Sequence, residues 1–169
     1  YAFVPLSLIS LSIGNVYFQR IAAKKNDESS IKGEFLRLLG ILSAIGFSAV
    51  VVILIAGPEI FEFIFGAEWR YSGELTQILI FSFVVKFIVS SLSSILPALK
   101  ELKLALYFPI AYFLLMCSLF IYKDFSFDNF VLVLTLLEVI AYIFYFVLLW
   151  YAVSRYEKKI SAINNNDGR

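Results

Sequence analysis

Four stretches of this chain carry almost no charge. There is none between Leu38 and Ala56, only Lys86 between Leu75 and Leu99, none between Leu104 and Tyr122, and only Glu138 between Asn129 and Ser154. Each is close to the roughly 20 residues that a helix needs to cross a hydrocarbon core about 30 Å thick. Inside that layer every peptide N–H and C=O must find its partner within the protein, which for separate apolar runs means the helix. The pattern predicts an all-α integral membrane protein, a helical bundle with complete transmembrane helices at about 35–56, 75–97, 103–122 and 130–153. Composition agrees: 61% of residues are hydrophobic and 16% charged, against about 45–50% and 25% in soluble domains.

The first residues, "YAFVPLSLISLSIG", are apolar without the basic start of a signal peptide, and they run directly into "NVYFQRIAAKK". They predict the end of a fifth membrane helix, partial at about 1–18, and a chain that is the C-terminal portion of a larger protein. Residues 1–155 then form a membrane lobe and 156–169 a cytoplasmic tail closing on the polar, disordered "NNNDGR". Basic residues cluster in alternate connections: Arg20, Lys24, Lys25, Lys32 and Arg37; Lys100 and Lys103; Arg155, Lys158, Lys159 and Arg169. The other two connections hold only Arg70 and Lys123. Lysine and arginine bias loops to the cytoplasm, so the three basic segments and the C-terminus are predicted inside. The charge placement predicts a multi-pass protein with its C-terminus in the cytoplasm.

The segment "GPEIFEFIFGAEWRYSGE", residues 57–74, then lies outside. Pro58 suits a first helical position, Glu59 the positive end of a helix dipole and Gly66 a C-terminal cap. These signals predict a short interfacial helix over 58–65, Trp69 and Tyr71 at headgroup level, and Ser72 capping the next span. Trp150, Tyr151 and Tyr156 hold the matching position at the other interface.

Several function classes are excluded early. The chain has no histidine, one cysteine and a formal net charge of +1, which argues against imidazole chemistry, zinc sites, disulfides and nucleic-acid binding. Asp124 and Asp128 near "KDFSFDN" have no metal spacing or nucleophile beside them, and no Gly-rich phosphate loop is present. No catalytic residue, metal or cofactor is expected.

Certain residues carry a family resemblance. "IGNVYFQRIA" leads into a charged loop with "KKND", then a helix, then "FIFGAEWRYSGELTQIL", then "SSLSSIL". The chain resembles polysaccharide biosynthesis proteins of the O-antigen flippase kind, within the multidrug/oligosaccharidyl-lipid/polysaccharide exporter superfamily. The similarity covers residues 5 to about 105. It implies a two-lobe transporter of twelve or more helices in the cytoplasmic (inner) membrane, a missing N-terminal lobe of the same protein as partner, and a polyprenyl-diphosphate-linked oligosaccharide as substrate. A drug or small-cation exporter of the same superfamily and a membrane-embedded glycan polymerase are the alternatives; a cation exporter should prefer acidic cavity residues, and a polymerase large external loops.

Two charges inside the apolar runs need an explanation. A lysine at mid-span costs at least about 2.5–3.5 kcal/mol on insertion scales. Ser82 and Ser90 share the Lys86 face, while Ile80, Val84, Phe87 and Ile88 form a face suited to lipid. Glu138 lies in a stripe with Thr135, Tyr142 and Tyr145. Lys86 and Glu138 sit about 16 and 12 Å from the outer ends of their helices. Two readings follow: an ion pair that fixes packing, or a wet cleft in which Lys86 attracts a lipid diphosphate, with Ser82, Ser90, Glu138 and Tyr142 around it. Gln19 and Arg20 are either anchors to membrane lipids or the first contact for an incoming headgroup. Pro5 and Pro109 predict bends, and Gly40, Ser43, Ala44 and Gly46 a close helix contact.

Overall fold

A computed structural model describes the backbone of residues 3–119 and 126–167 and the side chains of 11–119 and 126–163. The order is α1 (Phe3–Asn26), α2 (Lys32–Phe65), a 3₁₀ turn (Ala67–Trp69), α3 (Arg70–Leu92), α4 (Ile95–Ala98), α5 (Leu102–Ser118) and α6 (Phe127–Asp167). Three segments are long and apolar enough to cross a membrane: Lys32–Phe65, Ala67–Ala98 and Phe127–Ile163. The fourth expected span is represented by α5, 17 residues long; the rest of it, with Lys123 and Asp124, falls outside the described residues.

The helix α3 is the hub and packs against α1, α2 and α6, while α5 leans on α6. Its most extensive partner is α2. The face of Ile80, Val84, Phe87 and Ile88, expected to meet lipid, is instead inside the bundle. Ile80 and Phe87 are buried, and a Cβ on Gly46 would stand 2.5 Å from Val84 Cγ1. Of the small residues expected to let helices approach, Gly46 does so, whereas nothing lies within 4 Å of a Cβ on Gly40. An apolar stripe cannot by itself tell lipid from a neighbouring helix, because both are equally greasy. Outward-facing positions of α2 and α5, such as Phe47, Ile55, Leu106 and Phe113, stay exposed and apolar, as a lipid-facing surface requires.

The segment after Gly57 departs from expectation. No separate interfacial helix forms over 58–65: α2 runs unbroken for 34 residues with Pro58 inside it, a length of about 51 Å. Proline lacks an N–H and leaves the carbonyl four residues back, that of Leu54, without its helical donor. The Gln77 side-chain amide on α3 donates to that oxygen at 2.9 Å and lies 3.3 Å from the Ile53 carbonyl. Such an approach requires a bare backbone opposite. A Cβ on Gly73 would meet Pro58 Cα at 2.5 Å and the Gly57 oxygen at 2.7 Å. Gly66 does end the helix, at φ 103° with its N–H on the Glu62 carbonyl. Ser72 is not a cap; α3 starts earlier, at Arg70, without a side-chain cap.

Proline also explains the break between α3 and α4. Pro97 cannot donate to Ser93, and the ladder is interrupted there by two turn residues, Ser93 and Ser94. By contrast α5 continues through Pro109, and Pro5 lies in the first described turn of α1, where its missing N–H costs no helical bond. The polar end predicted as a disordered tail is helical as far as Asp167.

The three basic segments meet at one end of the bundle. Glu157 on α6 accepts from the Ile31 N–H at 2.7 Å, the Lys32 N–H at 2.9 Å and the Ser30 hydroxyl at 3.1 Å, so a carboxylate from another element caps α2. Lys25 donates to the Leu99 carbonyl at 2.7 Å, and Arg155 pairs with Glu101 at 3.5 Å. Burial beside this carbonyl, with Lys100 nearby, holds the Lys25 ammonium below the ordinary lysine range. At the opposite end Arg70 pairs with Glu62 at 2.7 Å and Glu59 at 3.3 Å, and the Tyr71 hydroxyl donates to Asp128 at 2.6 Å.

Candidate functional site

Within the apolar layer one cluster of polar groups stands out. Lys86 comes from α3 and Glu138 from α6, two helices brought together by the buried residues Phe87, Tyr142 and Leu149. Lys86 Nζ lies 3.2 Å from Glu138 Oε1, and their side chains are 24% and 11% exposed. The Tyr112 hydroxyl on α5 donates to the same oxygen at 3.1 Å. Lys86 Nζ also stands 5.7 Å from the centre of the Tyr142 ring, within cation–π range. Three helices thus contribute to one charge pair.

Phe108 extends the cluster, stacked flat on Tyr145 at 4.0 Å and tilted against Tyr142 at 5.1 Å. Phe108 and Tyr112 are one turn apart on α5, as are Glu138, Tyr142 and Tyr145 along α6, so the aromatic walls face each other around the carboxylate. The contribution of Tyr112 to Glu138 went unread in the sequence. The signal was the aromatic spacing of four on α5, which by itself does not say which helix it meets.

The other expected residues are distributed differently. Ser82 is fully buried, and its hydroxyl donates to the Leu79 carbonyl of its own helix at 3.0 Å. Thr135 likewise donates to Val131 at 2.8 Å. Ser90 is exposed and lines a separate cavity of about 290 Å³ with Asn15, Ser93, Ser94 and Tyr145. Gln19 and Arg20 lie exposed on α1, and Arg20 borders a groove against α2. The structure therefore joins Lys86, Glu138 and Tyr142 and places Ser82, Ser90, Gln19 and Arg20 elsewhere. Among the described residues no group of three or more acidic or cysteine side chains is arranged to hold a metal.

In chemical terms the cluster can exchange partners. Two charges withdrawn from water need each other unless another ion of the right sign replaces one of them. The lysine is the more exposed member and donates three hydrogens, so an anion reaching it can share or replace the glutamate.

No family model matches this chain, and no solved structure does. Among curated proteins it is similar to a membrane protein in a cps region of Klebsiella pneumoniae, itself described as uncharacterized, with 25% identity over 104 residues. That stretch is 62% of this chain and 21% of the relative, so the chain spans about a fifth of the relative's length. Fold, exposed apolar surface and similarity agree at one level: this is a multi-pass helical membrane protein.

Proposed function

We propose that the chain is part of an inner-membrane flippase, a two-lobe transporter that moves polyprenyl-diphosphate-linked oligosaccharide across the membrane for surface polysaccharide biosynthesis. The observation that carries the reading is the similarity to a membrane protein in a cps region. The motif order around "FIFGAEWRYSGELTQIL" supports it further. In this reading the described helices, with the remainder of the span over 103–122, form one lobe, and the basic end with the C-terminus faces the cytoplasm. Chemistry at the membrane is limited to movement, without a catalytic step.

The Lys86–Glu138 pair then acts as an internal counter-ion that the cargo displaces. A diphosphate entering a low-dielectric layer is very costly without positive charge. Lys86 supplies that charge, and Glu138 neutralises it while no cargo is present.

The test uses the full-length protein and near-isosteric neutral substitutions. Lys86→Met with Glu138→Gln removes both charges together, so the double variant should reach a near-native protein level and yet fail to deliver surface glycan. Lys86→Arg should retain part of the activity, since charge persists with altered shape. Native glycan export by the double variant would assign the pair to packing alone and remove the counter-ion role.

A further inference from the structure

A groove of about 440 Å³ runs between α1 and α2 near the basic end. These two helices pack on α3 rather than extensively on each other, which leaves the space between them open. We infer that the groove binds an anionic phospholipid from the surrounding leaflet, its phosphate held between Arg20 and Arg37. The site is distinct from the Lys86 cluster and independent of any transported cargo.

Charge is the first argument. Arg20 and Arg37 both line the groove, and among the described residues neither is in an ion pair. The one acidic group in the lining, Glu34, is bridged by Lys24 at 3.3 Å. The lining as a whole is net positive, and it presents two guanidinium forks, the group best matched to phosphate oxygens.

A buried orphan is the second. Tyr17 lines the same groove and is only 4% exposed, yet its hydroxyl has no hydrogen-bond partner. Buried hydroxyls are almost always satisfied. The oxygen is shielded from the groove, so a phosphate or ester oxygen seated there supplies the missing acceptor once the Tyr17 ring turns toward it.

The third argument is the gradient of polarity along the groove. From the arginines toward the middle of each helix the lining is mostly apolar, with Val16 and Ile13 on α1 and Leu38 and Ile41 on α2, and Ser12 the one polar residue at its inner end. On α1 this wall reaches about 10 Å past Arg20. A free phosphate has no use for such a wall, whereas a lipid fits it with headgroup at the basic rim and chain inward. Basic pockets between membrane helices at the cytoplasmic side are recurrent lipid sites for this reason.

Native mass spectrometry of the full-length protein tests the inference, after reconstitution in phosphatidylcholine vesicles doped with phosphatidylglycerol and extraction into mild detergent. Phosphatidylglycerol should be retained over phosphatidylcholine. Arg20→Gln with Arg37→Gln should reduce that retention roughly tenfold, as expected for losing charge-assisted bonds. Arg20→Lys with Arg37→Lys keeps the charge and should fall between. Tyr17→Phe should weaken retention without lowering helical content by circular dichroism. Retention that ignores both arginine pairs would overturn the proposal. A second arm adds polyprenyl diphosphate to the vesicles: if it is retained through Arg20 and Arg37 in place of phosphatidylglycerol, the groove belongs to the cargo and the phospholipid assignment fails.

Discussion

At Lys86 an ammonium occupies a helix position surrounded mostly by hydrocarbon, and its tolerance there depends on three contributions from other elements. Glu138 supplies the opposite charge, Tyr112 a hydrogen bond to the same carboxylate oxygen, and Tyr142 a ring face. Removing one charge from a buried pair costs about 3–5 kcal/mol because the other is left uncompensated. Lys86→Met alone should therefore lower the thermal unfolding midpoint in detergent markedly, and Glu138→Gln added to it should recover most of the loss. A double variant no more stable than the single would mean that the two residues are not coupled. Tyr112→Phe keeps the ring contacts and deletes the hydrogen bond, so it should cost about 1.5 kcal/mol; an unchanged midpoint would show that Glu138 does not depend on this donor.

Among the helices, α2 and α3 bring backbone against backbone at Gly57, Pro58 and Gly73. Gly73→Ala forces a methyl against the Pro58 backbone, which cannot rotate aside as a side chain can. It should destabilise by about 1–3 kcal/mol, whereas Gly40→Ala, in mid-helix with nothing within 4 Å, should stabilise by about 0.5–1 kcal/mol. Equal effects at the two glycines would contradict the crossing. Gln77→Leu should also destabilise, since it strands the carbonyl that Pro58 frees. At the basic end the first turn of α2 depends on a carboxylate from α6. Glu157→Gln weakens that cap, and hydrogen exchange at the Ile31 and Lys32 amides should accelerate while α3 amides stay protected. Two loops at this end place non-glycine residues in the left-handed region, Glu28 at φ 50° and Lys100 at φ 62°. Each carries a cost of about 1 kcal/mol, so Glu28→Gly should raise stability by a similar amount.

For the whole molecule, the separation of its two ends matters more than any single contact. All three basic segments converge on one end, and α2 is longer than the roughly 30 Å hydrocarbon core, so its last turns emerge at the other. That end carries the exposed ion pairs of Arg70 with Glu59 and Glu62. With Cys117 replaced, impermeant thiol reagents applied to intact cells should label Ala67→Cys and leave Asp27→Cys and Ala162→Cys unlabelled. Labelling at Asp27→Cys would invert the topology.

Charge-free length was enough to read a helical membrane protein from the sequence, because water and hydrocarbon sort residues one helix at a time. Gly66 as a helix end was legible for a similar reason: the requirement is local to the backbone. Pro58 was misread as a helix start. Its missing donor is tolerable in mid-helix only because Gln77, distant in sequence, supplies a substitute and Gly73 clears the way. Ile80 and Phe87 were assigned to lipid because an apolar surface carries no mark of what covers it. The union of Lys86 with Glu138 could be anticipated from depth, but Tyr112 as its third member could not, nor could Glu157 as the cap of α2. Sequence determines which groups require a partner; only packing decides which partner arrives, because that depends on how helices far apart in the chain rotate and cross.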